Sequence, residues 1–403
     1  MLEFLFGDRD IFGEADLANV QKVLDSQRLW RADDEDTFVA QFEDDFSKWL
    51  GRKYVLALSS GTAGNETALA GLGIGPGDEV ICPPCSFIAS SMAIVALGAV
   101  PVFADVDPRN LIITAEAIEQ ALTPNAKAVV VVHLAGQPAE MDPILEVAKA
   151  HGLAVMEDCA QAYGPTYKGR KVGTLGDCAS YSLQQGKHIT TGEGGMIATD
   201  DPEVYERAML YANCGMPWYR YGLQRPRPEP IGGVRNRGHF GFGHNYRMTE
   251  LQGGVAVAQL SRIEQFNGWR RKLVAIIHEV LDGVPGLQLQ YAYPETDPIC
   301  WNFHVMVESM TLGELDKRLR DEHGVNISPY AEVNYLEAVF QEMNAQRRTS
   351  LGCPLPDYVR YDPGTCPQAE AAAQRTFSLW THHAVAPDRL RSQVEAIRQV
   401  MTA

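Results

Sequence analysis

Residues 54–82 read YVLALSSGTAGNETALAGLGIGPGDEVIC, and this stretch decides the fold. Its first five residues are a continuous apolar run, which is typical of a strand buried on both faces. Residues 62–72 then have a helical pattern, and EVIC at 79–82 begins a second strand. Two such strands joined by one helix indicate a βαβ unit in a parallel sheet.

The same alternation continues as far as residue 200. Helical patterns cover 87–97, 115–122 and 141–151, and strand-like runs cover 100–104, 126–132, 153–158, 179–183 and 196–200. One long helix at 251–281 follows, then a strand at 301–307, a helix at 312–323 and a closing helix at 369–377. We predict an α/β fold with a mostly parallel sheet flanked by helices and a smaller α+β C-terminal domain, divided as 1–250 and 251–403.

The balance of charge excludes whole classes of partner. The 403 residues include 35 Lys and Arg against 51 Asp and Glu, a formal net charge of −16. So acidic a protein repels nucleic-acid phosphates and anionic membranes. The most apolar long stretch, 91–104, is broken by Gly98 and Pro101 and is too short to span a bilayer. We expect no nucleic-acid partner and no membrane insertion.

Eight cysteines are scattered through a chain whose N-terminus lacks the pattern of a secretory signal. This usage predicts reduced thiols and a cytoplasmic location. Cys82 and Cys85 form a CPPC pair, but no second CxxC or HxxxH completes a ligand set, so no metal site is predicted. His382 and His383 also lack ligand spacing and are predicted to be packing or surface residues.

The chain contains one acidic segment, 33–50, and one basic segment, 214–249. Residues 33–50 interleave acidic side chains, Glu43 among them, with apolar residues at helical spacing, which predicts a helix with a solvated acidic face. The segment 214–249 instead carries a local charge of +5, and we predict that it handles an anion. Its charged residues are Arg220, Arg225, Arg227, Glu229, Arg235, Arg237 and Arg247.

Two glycine-containing stretches are candidates for binding a phosphate. GLGIGPG at 71–77 follows a helix and precedes a strand, so it fits a helix C-cap and turn rather than a dinucleotide fingerprint. SSGTA at 59–63 lies between a strand and the next helix, where free N–H groups and the positive helix end attract anions. By itself this second stretch fits an ordinary N-cap equally well.

Further polar residues follow at strand ends. Asp158 ends the strand 153–158, at the edge where open α/β sheets bind ligands. Ser182 lies near the end of the next strand, with Lys187 five residues later and GEGG at 192–195 behind it. Together with the helix-end anion site, this ordered set suits one ligand that carries a phosphate, a ring nitrogen and an aldehyde.

The chain resembles the DegT/DnrJ/EryC1/StrS aminotransferases, which are fold type I pyridoxal-phosphate enzymes. The motifs that carry the resemblance span nearly the whole chain: FVAQFEDDFSKWLG, SSGTAGNETAL, GIGPGDEVI, PVFADVD, VHLAGQPAEMDPI, EDCAQAYG, SLQQGKHITTGEGG, NYRMTELQ and CPQAEAAAQRTFSLW. SLQQGKHITTGEGG is most similar to the branch of glutamine:scyllo-inosose aminotransferases and aminohydroxybenzoate synthases.

The resemblance implies a role for each matching residue toward the cofactor. Lys187 would bind pyridoxal phosphate covalently and later move a proton between the substrate and the cofactor. Asp158 would pair with the pyridine nitrogen, and Gln161 would contact the ring hydroxyl. Phe87 occupies the position of the aromatic residue that stacks on the ring, although a core phenylalanine fits there too.

The remaining roles concern the phosphate, the substrate and a second chain. Thr62, Ala63 and Ser182 would hold the phosphate, with Gly61 allowing its close approach. The resemblance also implies a homodimer in which Asn245 reaches the neighbour's phosphate, accompanied by Arg247. We further name Gln184, His188 and Arg247 as candidate substrate contacts. Trp301 and His304 belong to a strand whose cleft-facing side the sequence leaves open.

The function implied is transfer of an amino group from glutamine or glutamate to a cyclic ketone, a keto-sugar or keto-cyclitol, with pyridoxamine phosphate as the intermediate cofactor form. One alternative is a sugar dehydratase of the same family, but those relatives have His in place of the lysine, and here His188 lies one residue beyond Lys187. A second alternative is a non-catalytic regulator, against which the intact Lys187, Asp158 and Gln161 argue.

Overall fold

The computed structural model describes residues 11–31, 36–217, 229–234, 236, 238–330 and 333–403. The strands are β1 (Tyr54–Leu58), β2 (Glu79–Cys82), β3 (Val100–Phe103), β4 (Val106–Asp107), β5 (Ile112–Ile113), β6 (Ala126–Val132), β7 (Ala154–Asp158), β8 (Thr166–Tyr167), β9 (Arg170–Lys171), β10 (Cys178–Ser182), β11 (Gly195–Thr199), β12 (Leu287–Leu289), β13 (Thr296–Asp297), β14 (Asn302–Val307), β15 (Ser328–Pro329) and β16 (Thr376–Trp380).

Helices connect and cover these strands. They are α1 (Glu14–Asp25), α2 (Phe38–Leu50), α3 (Gly61–Gly71), α4 (Ala89–Ala96), α5 (Ala115–Gln120), α6 (Met141–His151), α7 (Pro202–Ala212), α8 (Glu250–Leu260), α9 (Ile263–Leu281), α10 (Leu312–His323), α11 (Ala338–Gln346), α12 (Pro367–Ala373) and α13 (Pro387–Thr402). None of the described helices combines the length and apolar character that a membrane span requires.

The central sheet has the order β1-β11-β10-β7-β6-β2-β3. The strand β11 is antiparallel to both of its neighbours, and every other adjacent pair is parallel. Adjacent residues of β1 belong to different hydrophobic cores: Leu56 lies in the core that includes α3, α4 and α7, and Val55 lies in the core that includes α2 and α8. The sheet is therefore buried on both faces, and the predicted mostly parallel α/β architecture is confirmed.

A second, smaller unit contains the antiparallel sheet β12-β14-β16-β15. Its separate core joins that sheet to α9, α10 and α13. The predicted strand 301–307 and the helix Leu312–His323 are found there. The helix predicted at 251–281 is divided into α8 and α9, and the stretch predicted as a closing helix, 369–377, holds the end of α12 and the start of β16. The prediction did not include the strands β12, β13 and β15 or the helices α11 and α13.

The hydrophobic cores refine the predicted division at residue 250. Ala256 and Leu260 of α8 pack with α2 in the large unit, whereas Leu273 and Ile277 of α9 belong to the small core. Residues of 333–372 also return to the large core. We propose that the boundary lies within α9, and that the chain crosses back to the large unit after β15.

The helix α2 carries one charge that the sequence analysis placed wrongly. Glu43 does not face solvent: it is fully buried, and its carboxylate accepts two hydrogen bonds from Arg31 and one from the N–H of Ala57. Its apolar neighbours are buried as predicted. Glu43 therefore attaches α2 and the segment before it to the edge strand β1.

We predict that Glu43→Ala lowers the free energy of unfolding by about 3 kcal/mol or more, because it removes the buried carboxylate that pairs with Arg31 and accepts the N–H of Ala57. Thermal or urea unfolding followed by circular dichroism measures the change. Asp45→Ala is the matched control on the same helix, since Asp45 is partly exposed and pairs weakly with Lys48 at 3.6 Å; its expected effect is within about 0.5 kcal/mol. Equal effects of the two changes would contradict the assignment.

Candidate active site

A cavity of about 470 Å³ lies at the carboxyl ends of the parallel strands. It is lined by eight of the residues singled out from the sequence: Gly61, Thr62, Phe87, Asp158, Gln161, Ser182, Gln184 and Lys187. A neighbouring cleft of about 380 Å³ shares Phe87, Gln161 and Trp301 with it and adds Tyr330. The parallel pairing of β6, β7 and β10 explains the clustering, since parallel strands end at one edge of the sheet.

The carboxylate of Asp158 is buried and held by three donors. Its Oδ2 accepts hydrogen bonds from Asn65 Nδ2 at 3.0 Å and Ser90 Oγ at 2.7 Å, and its Oδ1 accepts one from the N–H of Ala160 at 3.0 Å. Asn65 is oriented in turn by Ser180, whose hydroxyl donates to the amide oxygen. The position of the carboxylate is thus determined by α3, α4 and β10 together.

Lys187 is the buried amine of the cavity. Burial lowers its pKa to about 8, and the charge of Arg270 acts in the same direction while Asp158 opposes it. Its Nζ lies 4.2 Å from the centroid of the Trp301 ring, and Trp301 donates from Nε1 to the carbonyl of Gly186 at 2.7 Å. The indole therefore holds both the amine and the loop that carries it.

The N-terminus of α3 lines the other side of the cavity. Ser60 caps the helix by accepting a hydrogen bond from the N–H of Ala63 at 3.1 Å. A Cβ added at Gly61 would lie 2.6 Å from Cβ of Ser182, so only glycine allows the helix to approach β10 this closely. The N–H groups of Gly61 and Thr62 are in the first turn, where a helix leaves donors without intrahelical partners.

Two further side chains of the cavity have distinct orientations. Phe87 is 65% exposed at its mouth, which rules out the core packing considered for it. Gln161 is buried, and its Oε1 accepts a hydrogen bond from the N–H of Ala135 at 2.7 Å. The NH₂ group of Gln161 is therefore the end available to a ligand.

Several candidates lie outside the cavity. His188, a predicted substrate contact, is fully buried with Nε2 3.2 Å from the carbonyl oxygen of Ile299, and it does not line the cavity. Ala63 is buried, and its N–H is already used by the Ser60 cap. Asn245 is exposed beside Asn213, to which Arg247 donates a hydrogen bond at 2.8 Å. Neither Asn245 nor Arg247 lines the cavity of this chain.

Other predictions fall beyond the described residues. Of the six arginines in 214–249, Arg247 alone is described; the rest are Arg220, Arg225, Arg227, Arg235 and Arg237.

Sequence reasoning missed Asn65, Ser90 and Glu193 in the cavity, and it did not decide whether Trp301 faces the cavity. Asn65 lies one turn after Gly61 on α3, and this helical spacing is the signal that could have found it. His304, in contrast, is buried with its ring against Tyr330, at a centroid distance of 4.0 Å.

A buried group of possible metal ligands lies beside the cavity and consists of His133, Glu157 and Cys159. Glu157 accepts from the N–H groups of Gly173, Leu175 and Gly176 and is 2.9 Å from Nε2 of His133. Because Nδ1 of His133 accepts a hydrogen bond from the N–H of Ala139, Nε2 carries the ring proton and donates a hydrogen bond to Glu157.

These contacts give the group a structural role. Burial opposes the charge of Glu157, but the bonds from His133 and the backbone lower its pKa below the usual range. Burial raises the pKa of Cys159, which keeps it a thiol. The donors already present use both oxygens of Glu157, so we assign no metal to this group.

The family model that matches the chain is that of the DegT/DnrJ/EryC1/StrS aminotransferase family, over residues 10–398. The chain is 43% identical to GDP-perosamine synthase of Caulobacter vibrioides, and the aligned region covers 59% of this chain and 60% of that relative. It is 30% identical to the spore coat polysaccharide biosynthesis protein SpsC of Bacillus subtilis, over 97% of this chain and 95% of the other.

Solved structures agree with this match. The crystal structure of 3-amino-5-hydroxybenzoic acid synthase superposes with a TM-score of 0.83, at 29% identity and over 97% of each chain. The sheet order, the cavity at its carboxyl edge and the buried lysine and aspartate all belong to the region matched. The chain is therefore a fold type I, pyridoxal-phosphate-dependent enzyme that belongs to the DegT/DnrJ/EryC1/StrS aminotransferase family.

Proposed function

We propose that the protein transfers an amino group from glutamine or glutamate to a cyclic ketone, which is a keto-sugar or a keto-cyclitol. The observation that carries the proposal is a single cavity in which a buried lysine of lowered pKa, a buried carboxylate and a helix N-terminus lie together. All eight cysteines are free thiols, which supports a cytoplasmic location.

The residues of the cavity fit pyridoxal phosphate. An anionic phosphate suits the first turn of α3, where Gly61, Thr62 and Ser182 offer N–H and hydroxyl groups and glycine leaves room for close approach. A protonated ring nitrogen suits Asp158. When bound, the cofactor accepts the electron pair that a substrate carbon gains on losing a proton.

Lys187 is proposed as the group that binds the cofactor and moves protons. At pH 7, an amine with a pKa of about 8 is neutral roughly one time in ten, a far larger fraction than for an ordinary lysine at 10.5. In the neutral form Nζ can act as a nucleophile or take a proton, and in the charged form it can return one. The contact with Trp301 keeps Nζ in place between these steps.

Asp158, Gln161 and Phe87 are proposed to orient the cofactor ring. The three donors to Asp158 prevent its carboxylate from rotating, so that it can hold a proton on the ring nitrogen. The free NH₂ group of Gln161 can donate to the ring hydroxyl. Phe87, exposed at the mouth, offers an apolar face on which a ring can stack and exclude water.

A second copy of the chain is proposed to complete the site. Among the cavity-lining residues that the structure describes, Lys187 is the one cation, whereas a phosphate and a donor carboxylate are both anionic. Asn245 and Arg247 lie outside the cavity of their own chain, with Asn245 exposed. We therefore propose a homodimer in which Asn245 reaches the neighbouring phosphate, with Arg247 and the basic segment close to it.

The choice of acceptor stays open between two classes. The name of GDP-perosamine synthase supports a nucleotide-linked keto-sugar, whereas that of 3-amino-5-hydroxybenzoic acid synthase supports a carbocyclic ketone. The cleft beside the cavity, lined by Phe87, Trp301 and Tyr330, has room and stacking surfaces for either. The presence of Lys187 disfavours a sugar dehydratase, because those relatives replace this lysine.

We predict that Lys187→Ala abolishes the near-visible absorbance of the lysine-bound cofactor and lowers amino transfer by at least about 10²–10⁴-fold, since the proton-transferring group is gone. Absorbance spectra and amino-acid conversion measure the two effects. Lys168→Ala, which removes a partly exposed lysine paired with Asp142, is the control and leaves both unchanged. Persistence of either signal in Lys187→Ala would rule out the role given to Lys187.

We predict that Asp158→Asn still captures the cofactor at Lys187 but transfers amino groups about 10²–10³-fold more slowly, because an amide lacks the charge that holds the ring proton. Mass spectrometry after borohydride reduction monitors capture, and steady-state rates monitor transfer. Asp142→Asn, at the surface, is the matched control. Turnover of Asp158→Asn at the rate of the unaltered protein would show that this carboxylate has another role.

The acceptor can be identified with the protein in its pyridoxamine form. We predict that mixing this form with a panel of ketones restores the spectrum of the lysine-bound cofactor for cyclic ketones only. The panel contains keto-cyclitols, nucleotide-linked keto-sugars and linear 2-oxo acids other than those of the donors. A response confined to nucleotide-linked sugars would overturn the placement near the scyllo-inosose and aminohydroxybenzoate branch, and no response to any cyclic ketone would overturn the acceptor class.

A further inference from the structure

Behind Lys187 lies a buried basic cluster, which we define as Arg270, His188, His382 and His383. Arg270 projects from α9 and is fully buried, and the three histidines are buried as well. At least one ring nitrogen of each histidine and Nε of Arg270 have no hydrogen-bond partner. Among the described residues, no carboxylate pairs with Arg270, so this charge is not explained as half of a salt bridge.

The guanidinium of Arg270 is held by main-chain carbonyl groups. Its Nη1 donates to the carbonyls of Trp301 at 3.1 Å, Thr381 at 3.3 Å and Cys300 at 3.4 Å, and its Nη2 donates to the carbonyl of Lys187 at 3.3 Å. One planar group thus joins the lysine loop to the start of β14 and the end of β16. A lysine ammonium, with three donors on a single atom, cannot span these positions.

The cluster retains one positive charge at neutral pH. Burial lowers the pKa of Arg270 to about 9, so the guanidinium stays protonated at pH 7. Burial also lowers the pKa of His382 to about 3 and those of His188 and His383 below their usual range, which keeps all three rings neutral. His382 and His383 therefore contribute packing, with His383 stacked on Phe266 at 4.0 Å.

The groups that act on the Lys187 amine come from both sides. Burial has the largest effect on the pKa of Lys187 and lowers it. The charge of Asp158 on β7 raises this pKa, and the charge of Arg270 on α9 lowers it. Glu193 also lines the cavity, and the neutral His188 is next to Lys187 in the chain. Because Arg270 has no carboxylate partner to cancel its charge, its field at the lysine is not neutralised locally.

We propose that Arg270 is a positioning residue for Lys187: it fixes the lysine loop against Trp301 and keeps an uncompensated positive charge behind the amine. This inference rests on the proposed function, in which Lys187 binds the cofactor. A structural explanation is that Arg270 only ties the small unit to the large one. The proposal and the structural explanation predict different results for the Lys187 amine, because loss of a contact between the two units would not by itself change the protonation of the amine.

The experiment uses the full-length protein freed of cofactor, with the variants Arg270→Met, Arg270→Lys and Arg271→Met. Arg271 is the adjacent residue on α9, but it pairs with Asp297 at the surface, so Arg271→Met is the matched control. Three quantities are measured: the rate of pyridoxal phosphate capture between pH 6 and 10, the dissociation constant of pyridoxal phosphate, and the melting temperature of each variant. Borohydride reduction followed by mass spectrometry verifies that capture occurs at Lys187.

For the unaltered protein and Arg271→Met, the capture rate rises with pH through a midpoint near 8, because only neutral Nζ reacts. For Arg270→Met we expect the midpoint to move to higher pH and capture at pH 7 to become slower, because the positive charge that disfavours protonation of Nζ is gone. Arg270→Lys retains the charge, so its midpoint stays near 8, but its dissociation constant rises at least about tenfold because the four carbonyl contacts are not reproduced.

The outcomes distinguish failure of the proposed function from failure of the role proposed for Arg270. Absence of label at Lys187 in the unaltered protein would refute the proposed function itself. Label at Lys187 together with an unchanged midpoint in folded Arg270→Met, even at a lowered melting temperature, would leave a purely structural role and overturn the inference. If Arg270→Met does not fold, the further variant Arg270→Gln decides, since it keeps a donor to the carbonyl groups but lacks the charge: a midpoint at higher pH supports the inference, and an unchanged midpoint overturns it.

Discussion

The alternation of side chains along β7 is the constraint on which the site depends. Successive residues of a strand point to opposite faces, so Glu157 and Asp158, although adjacent, enter different surroundings. Glu157 gathers His133 and the backbone of 173–176 on one face. Asp158 meets Asn65 and Ser90 on the other. One carboxylate thereby stabilises the loops after the strand, and the other lines the cavity at the sheet edge.

The chemistry of the cavity depends on how charge is distributed around a buried amine. Asp158 lines the cavity together with Lys187, and Arg270 lies behind Lys187 with carbonyl oxygens as its partners. Such an arrangement costs desolvation energy that a surface lysine would not incur. The result is an amine whose neutral fraction at pH 7, roughly one in ten, is far larger than that of a surface lysine, and the neutral form is the one that a nucleophile or a base requires.

Much of the fold and part of the site followed from sequence pattern. Continuous apolar runs separated by helical segments predicted a parallel sheet, and strand-end positions identified Asp158 and Ser182. The order of motifs identified Lys187. The structure differs where tertiary contacts override local pattern. Glu43 was predicted on a solvated face but is buried against Arg31, and His188, named as a candidate substrate contact, is buried beside the carbonyl group of Ile299. Acidity and adjacency in sequence do not specify what a folded chain places opposite a side chain.

The sequence by itself determined the class of fold, the family and the set of residues proposed to bind the cofactor, because these depend on periodicity and on residue types at short spacings. Only the tertiary structure decided that Trp301 faces the amine while His304 is buried, that Asn65 and Ser90 orient Asp158, and that Arg270 lies behind Lys187. These partners come from elements tens to hundreds of residues apart. Their contacts are set by how helices and strands pack within and between the two units, which no local pattern encodes.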